Sequence, residues 1–89
     1  ANLAKVASTV TPSNTALFTG ASFLAAPANL PATGVNNFQF FINGQHVEPA
    51  AITSFVDNGN NTCTVVFNTS QLGFTLISTD EIVAVGKFA

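Results

Sequence analysis

Alternating apolar and polar residues predict short β-strands in the second half of the chain. Phe38, Phe40 and Ile42 fall on one face of a strand, and Gln39 and Phe41 fall on the other. The same period of two recurs in three later segments, residues 51–57, 62–68 and 81–88. Apolar residues at helical spacing, with capping residues at both ends, are not found. The pattern therefore favours an all-β fold.

Turn signals separate these segments at short intervals. Asn43-Gly44 stands between two strand segments, and both central residues of a type I′ hairpin turn require a positive φ, which Asn and Gly tolerate. A second turn is predicted at residues 57–61, and a third at residues 78–80. These signals predict antiparallel neighbours joined by tight turns.

The first part of the chain has a less regular pattern. Residues 15–25 are predicted as a strand with a bend at Gly20, and residues 26–37, rich in Pro and Asn, as a loop. Leu3, Val6 and Val10 are spaced irregularly among Ala, Ser and Thr, and Pro12 follows them. We expect residues 1–12 to form an extended arm and residues 13–89 a single domain.

Together these elements predict an antiparallel β-sandwich or small barrel of about six to seven short strands. With 89 residues, the chain is long enough for one domain with a thin core.

The low charge of the chain limits the partners that can be expected for it. Only 7% of residues are charged, against about 25% in an average soluble domain. Two lysines without arginine cannot build a phosphate-binding patch, so nucleic acid is not an expected partner. Apolar runs are too short for a membrane span, and no signal peptide is evident after Lys5. Because the chain begins with Ala, we expect that a Met or a leader was removed.

The few titratable residues do not assemble into a recognisable reactive site. His46 and Glu48 form a pair without a third ligand or nucleophile, and Asp80-Glu81 reads as a solvated turn. The loop that begins at Asp57 lacks the distal Glu of a calcium loop. We therefore predict no enzymatic activity, no catalytic or metal-binding residues and no cofactor.

Two further features concern modification. The single cysteine, Cys63, occupies an alternating strand position and is predicted to be a small buried hydrophobe, with an intermolecular disulfide as the alternative. Asn60 and Asn68 each begin an Asn-x-Thr/Ser sequon at a turn or strand end, so both are candidate glycosylation sites.

Three segments carry a resemblance to known domains: FQFFINGQHVEPAAITSF from Phe38, the DNGNNT turn, and STDEIVAVGKFA at the end. This part of the chain, residues 38–89, resembles small β-sandwich domains of bacterial surface appendages and of phage tail or fibre proteins. The resemblance implies a structural role in an extracellular assembly and supplies no catalytic residues.

These observations predict a structural subunit of a self-assembling extracellular filament, a helical homopolymer. Leu3, Val6 and Val10 would complete the sheet of a neighbouring copy by β-strand addition. The main alternative is a phage virion protein of the tail, fibre or capsid surface. A carbohydrate-binding module is a lesser alternative, because the chain has no Trp or Tyr to stack on sugar rings.

Overall fold

A computed structural model describes residues 3–23 and 38–89 of the chain. The predicted loop at 26–37 and the end of the predicted strand 15–25 lie partly or wholly outside these residues. The described part contains eight strands: β1 (Leu3–Val6), β2 (Thr9–Thr11), β3 (Thr15–Thr19), β4 (Phe38–Ile42), β5 (Gln45–Val47), β6 (Ile52–Asp57), β7 (Thr62–Phe67) and β8 (Ile82–Gly86). A short 3-10 helix (Pro49–Ala51) joins β5 to β6, and one helical turn, α1 (Thr69–Leu72), follows β7.

The strands form two separate four-stranded sheets, which confirms the predicted all-β sandwich. The first sheet has the order β1-β8-β4-β5 and the second has the order β2-β3-β7-β6. Every strand pairing is antiparallel. The described residues form eight strands where six to seven were predicted for the chain, because the amino-terminal arm forms two strands, one in each sheet.

Inward-facing side chains of both sheets form one aromatic core. The predicted alternation is observed in β4, β7 and β8, each of which has one buried face, and in β7 the buried face is the predicted inward one. Phe55 lies at the centre of the aromatic contacts, with its ring centroid 4.8–6.3 Å from those of five other phenylalanines, Phe18, Phe23, Phe38, Phe40 and Phe88. The core therefore depends on both sheets at once.

The strand at residues 52–57 departs from the predicted alternation. Simple alternation placed Ile52, Ser54 and Val56 on one face, but Ile52 and Phe55 are the buried residues of β6. The pairing with β7 shifts between Ile52 and Ser54, which marks a β-bulge at Thr53. One extra residue reverses the direction of every side chain that follows it.

Two further local differences have simple causes. Residues 69–72 form a helical turn that begins at Asn68, whose Oδ1 accepts a hydrogen bond from the Ser70 N–H, and ends at Gly73 with a φ of 83°. Four residues are too few to show helical periodicity in the sequence. The third strand ends at Thr19, because Gly20 has a φ of 64°, outside the strand region.

Candidate assembly site

The amino-terminal arm lies at the edge of both sheets of its own chain. Strand β1 pairs with β8, and β2 pairs with β3. Each is the outermost strand of its sheet. Between them the chain crosses from one sheet to the other, and the N–H of Ala7 donates to the carbonyl of Ile82 while the N–H of Ser8 donates to the carbonyl of Leu17.

The three predicted arm residues occupy different environments. Val10 is buried, with 7% of its surface exposed, whereas Leu3 and Val6 are 42% and 58% exposed. Leu3 lies opposite Gly86 on the core side of its strand, and Val6 lies opposite Val83 on the outer side. The arm thus contributes one core residue and leaves much of its apolar surface uncovered within a single chain.

Lys5 points to the core side of β1, at the open margin of the sandwich. It lies opposite Ala84, and its Nζ donates to the carbonyl of Gly20 over 3.2 Å. An inward-pointing charge on an edge strand discourages unspecific pairing of that edge. No sequence pattern predicts this contact, because Gly20 becomes a neighbour of Lys5 only through the fold.

The chain just after Pro12 is anchored to the body of the domain. The carbonyl of Ser13 accepts from the N–H of Leu76 over 2.6 Å, and the carbonyl of Asn14 accepts from the N–H of Phe67 over 2.8 Å. In the short connection between β2 and β3, the residues that follow Pro12 are therefore held to the body of the domain by hydrogen bonds.

The opposite edges of the two sheets are built differently. Strand β5 has three residues, and β6 is interrupted by the bulge at Thr53 and ends at Asp57. Short strands, bulges and terminal charges all hinder strand addition. The arm strands are also short, four residues in β1 and three in β2, so strand length does not distinguish the two sides.

A hydrogen-bonded network fixes the end of the first sheet that carries the Asn43-Gly44 turn. Asn43 and Gly44 have φ values of 51° and 86°, both positive as a type I′ turn requires. The side chain of Asn43 donates to Asp80 Oδ1 and accepts from the N–H of Glu81. Asp80 Oδ2 accepts from the N–H of Ile77. Two turns far apart in sequence are thus held together.

Two carboxylates have pKa values below the ordinary value of 3.8, because hydrogen bonds stabilise their charged forms. The backbone N–H groups of Phe23 and Gly59 lower the pKa of Asp57. The backbone N–H of Ile77 and the side-chain amide of Asn43 lower the pKa of Asp80.

We expect stability to fall at acid pH through these two groups. Because their pKa values are lowered by folding, their contribution is fully present above pH 3.8 and is lost as the pH falls below 3.8. Urea unfolding between pH 7 and pH 2.5 measures this loss. The double variant D57N/D80N should show a shallower acid loss than wild type. Identical slopes in the two proteins would contradict the assignment.

The cysteine is buried, which confirms its interpretation as a small core residue. Cys63 has no exposed surface, and its thiol donates to the carbonyl of Ala21 over 3.4 Å. Burial, with a smaller effect of the Asp57 charge, raises the pKa of the Cys63 thiol to about 11.

Because the thiolate is the reactive form, we expect Cys63 to resist thiol reagents in the folded protein. Labelling with a chromogenic disulfide at pH 8 should be at least about 100-fold slower in buffer than in 6 M guanidinium, since the pKa leaves on the order of 0.1% thiolate. The variant A4C supplies an exposed thiol that should react at once. Rapid labelling of native wild type would show that the core opens readily.

The two sequon asparagines lie at exposed positions. Asn60 follows β6 in the turn and accepts a hydrogen bond from the Thr62 hydroxyl. Asn68 caps α1 through its Oδ1. Neither position is blocked by neighbouring elements, so glycosylation at Asn60 and Asn68 stays a prediction.

A shallow open cleft of about 220 Å³ contains the predicted His46–Glu48 pair. Both residues line it, together with Gln71 and Phe74, but no hydrogen bond joins His46 to Glu48 among the described residues. His46 instead packs against the edge of the Phe41 ring. Nothing in this arrangement activates a nucleophile or positions a pair of acids.

Within residues 3–23 and 38–89, no three His, Cys, Asp or Glu side chains lie together as a metal site would require. In the same part of the chain, no helix has the length and apolar character needed to cross a membrane. Comparisons with protein-family models, curated protein sequences and solved structures gave no significant match to this chain.

Proposed function

We propose that this protein is a structural subunit of a self-assembling extracellular filament, in which the amino-terminal arm of each copy joins the sheets of the next copy. The partner is a copy of the same chain, and repetition of one head-to-tail contact that does not close produces a helical homopolymer. The protein has no enzymatic role in this proposal and requires no cofactor.

The observation that carries the proposal is the position of the arm as the outer strand of both sheets. Strand exchange replaces β1 and β2 of one copy by the same strands of another. The contacts with β8 and β3 are identical in the two arrangements. Exchange therefore keeps every strand pairing, and only the connection between β2 and β3 must adopt a different backbone conformation.

Two further features support exchange at this place. Ser13 and Asn14 remain bonded to the body, so the chain can turn away at Pro12 without loss of those contacts. The low charge of the chain, 7% of residues, produces little repulsion between packed copies.

The contacts that an exchanged arm makes are strong enough to hold a neighbour. Backbone hydrogen bonds contribute about 0.5–1.5 kcal/mol each, and a fully buried valine such as Val10 contributes roughly 1.5–3 kcal/mol. Seven residue pairs join the arm to β8 and β3, four in β1 and three in β2. The same contacts exist within a single chain, so they hold two copies together once the arm is exchanged but do not by themselves favour exchange over the closed monomer.

Deletion of residues 1–11 tests the proposal. We expect negative-stain electron microscopy to show filaments for the full chain and none for the shortened chain. A synthetic peptide of residues 1–11, added in trans, should bind the shortened chain as a one-to-one complex. If the shortened chain assembles like the full chain, arm exchange is wrong. If it is unfolded and the peptide does not restore folding, the arm is an ordinary internal strand.

A further inference from the structure

The outer face of the first sheet carries charges at the two ends of β8 and one more, Glu48, at the β5 edge, two residues after His46. One row of side chains crosses the sheet in register, Val6, Val83, Phe41 and His46. The adjacent row consists of Ala4, Val85 and Gln39. Each of these residues alternates with core-facing neighbours in its strand and so points away from the core. We call this surface the β8 face.

The two charges that border the β8 face stand at opposite ends of the same strand. Glu81 precedes the buried Ile82, and Lys87 lies between the buried Gly86 and Phe88. Both are exposed and lie just outside β8, where they flank Val83 and Val85; at Lys87 the chain turns, and the N–H of Phe88 donates to the carbonyl of Gly86. The face is thus negative at one end of β8, positive at the other end and apolar between them.

From this pattern we infer that the β8 face packs against the β8 face of a second copy, about a twofold axis. The axis lies in the interface between the first sheet of one copy and the first sheet of the other. It runs perpendicular to the strands and passes over Ala84. It places Glu81 of each copy opposite Lys87 of the other, and Val83 opposite Val85. One interface thereby contains two matched charge pairs, as a self-complementary twofold contact requires.

The same axis also places larger side chains of one copy opposite smaller side chains of the other. The rotation brings the row that contains Val6 and Phe41 over the row that contains Ala4 and Gln39. Phe41 therefore faces Gln39, and Val6 faces Ala4. Larger side chains opposite smaller ones allow two sheets to interdigitate at the usual separation of about 10 Å.

The contact is small. Four strands about 4.8 Å apart and about 17 Å long give a flat footprint on the order of 300 Å² per copy. Standard interfaces bury about 800 Å² on each partner. The pair of copies is therefore weak in solution and gains strength from repetition along a filament. The face contains the same residues whether β1 comes from its own chain or from another copy, so the inference does not depend on arm exchange.

The experiment uses the full chain in sedimentation velocity at low salt, over protein concentrations up to about 1 mM, and compares the total association of each variant, filaments included. V85K places a charge in the middle of the face, and V56K does the same on the outer face of the second sheet, where Val56 is 48% exposed. We expect V85K to weaken association at least about tenfold, and V56K to leave it within about twofold of wild type. Equal behaviour of V85K and V56K would overturn the inference.

Charge exchange gives a second and more specific test. E81K and K87E each bring like charges together twice in the proposed pair, and each should weaken association about three- to tenfold at low salt. The double variant E81K/K87E restores opposite charges and should recover association to within about twofold of wild type. A double variant no better than the single variants would overturn the inference.

The two proposals fail separately. If arm deletion abolishes assembly while V85K and V56K behave alike, the twofold contact is wrong and arm exchange stands. If the charge-exchange pattern appears while the arm proves to be internal, the filament proposal is wrong and the twofold contact stands.

Discussion

Replacement of Phe55 by alanine is expected to cost about 3–5 kcal/mol of unfolding free energy. The Phe55 ring is 3% exposed and lies at the centre of the aromatic core, where it contacts rings from both sheets. Its loss leaves a cavity and also removes edge-to-face contacts worth about 0.5–1.5 kcal/mol each. A domain of this size has about 5–15 kcal/mol of stability in total, so the effect is a large fraction of it.

Urea unfolding followed by circular dichroism measures this cost. At roughly 4–8 °C per kcal/mol, the melting temperature should fall by at least about 12 °C. Phe74, which is 47% exposed, provides a matched phenylalanine outside the core. F74A should change the unfolding free energy by less than about 1 kcal/mol. Equal effects of F55A and F74A would show that the aromatic core is not organised around Phe55.

The second large effect concerns the turn between β4 and β5. Gly44 has a φ of 86°, and a Cβ built there would meet no atom within 4 Å. The cost of G44V therefore comes from the backbone conformation alone, about 1–3 kcal/mol for a β-branched residue at positive φ.

A matched variant separates this backbone effect from simple loss of glycine. Asparagine adopts positive φ more readily than other residues, so G44N should be clearly less destabilising than G44V. Both variants are measured by thermal and urea unfolding beside wild type. Wild-type stability of G44V would show that the turn does not require a positive φ at this position.

Alternation predicted most of the second half of the fold because those strands are buried on one face only. In β4, β7 and β8 each inward residue is followed by an outward one, so the residues that share a face could be identified in advance. The Asn43-Gly44 turn carried its own local signal. In contrast, the bulge at Thr53 and the single turn of α1 involve too few residues to alter a periodic pattern.

The placement of the arm was not readable from the sequence for a different reason. Leu3 pairs with Gly86, a residue at the other end of the chain, and a contact of this kind leaves no local pattern. Because β1 is an edge strand with both faces partly exposed, its side chains also lack a clear inward set. By contrast, the alternation over residues 81–88 was enough to place Glu81 and Lys87 at opposite ends of one strand.

The central claim is that β1 of one copy pairs with β8 of another. Ala4 and Val85 are directly opposite in this pairing, and opposed Cα atoms in antiparallel strands are about 4.5–5.5 Å apart, within the range for a disulfide. Val85 also lies opposite Gln39 of β4, a strand that does not exchange. A4C/V85C and Q39C/V85C therefore share one cysteine and differ only in the strand that carries the other.

Oxidation of each variant after assembly, followed by a non-reducing denaturing gel, tests the claim most directly. Cys63 is buried and should not take part. Arm exchange predicts a ladder of covalent multimers for A4C/V85C and intramolecular disulfides in monomers for Q39C/V85C. Oxidised monomers for both variants, under conditions in which the protein is assembled, would contradict arm exchange.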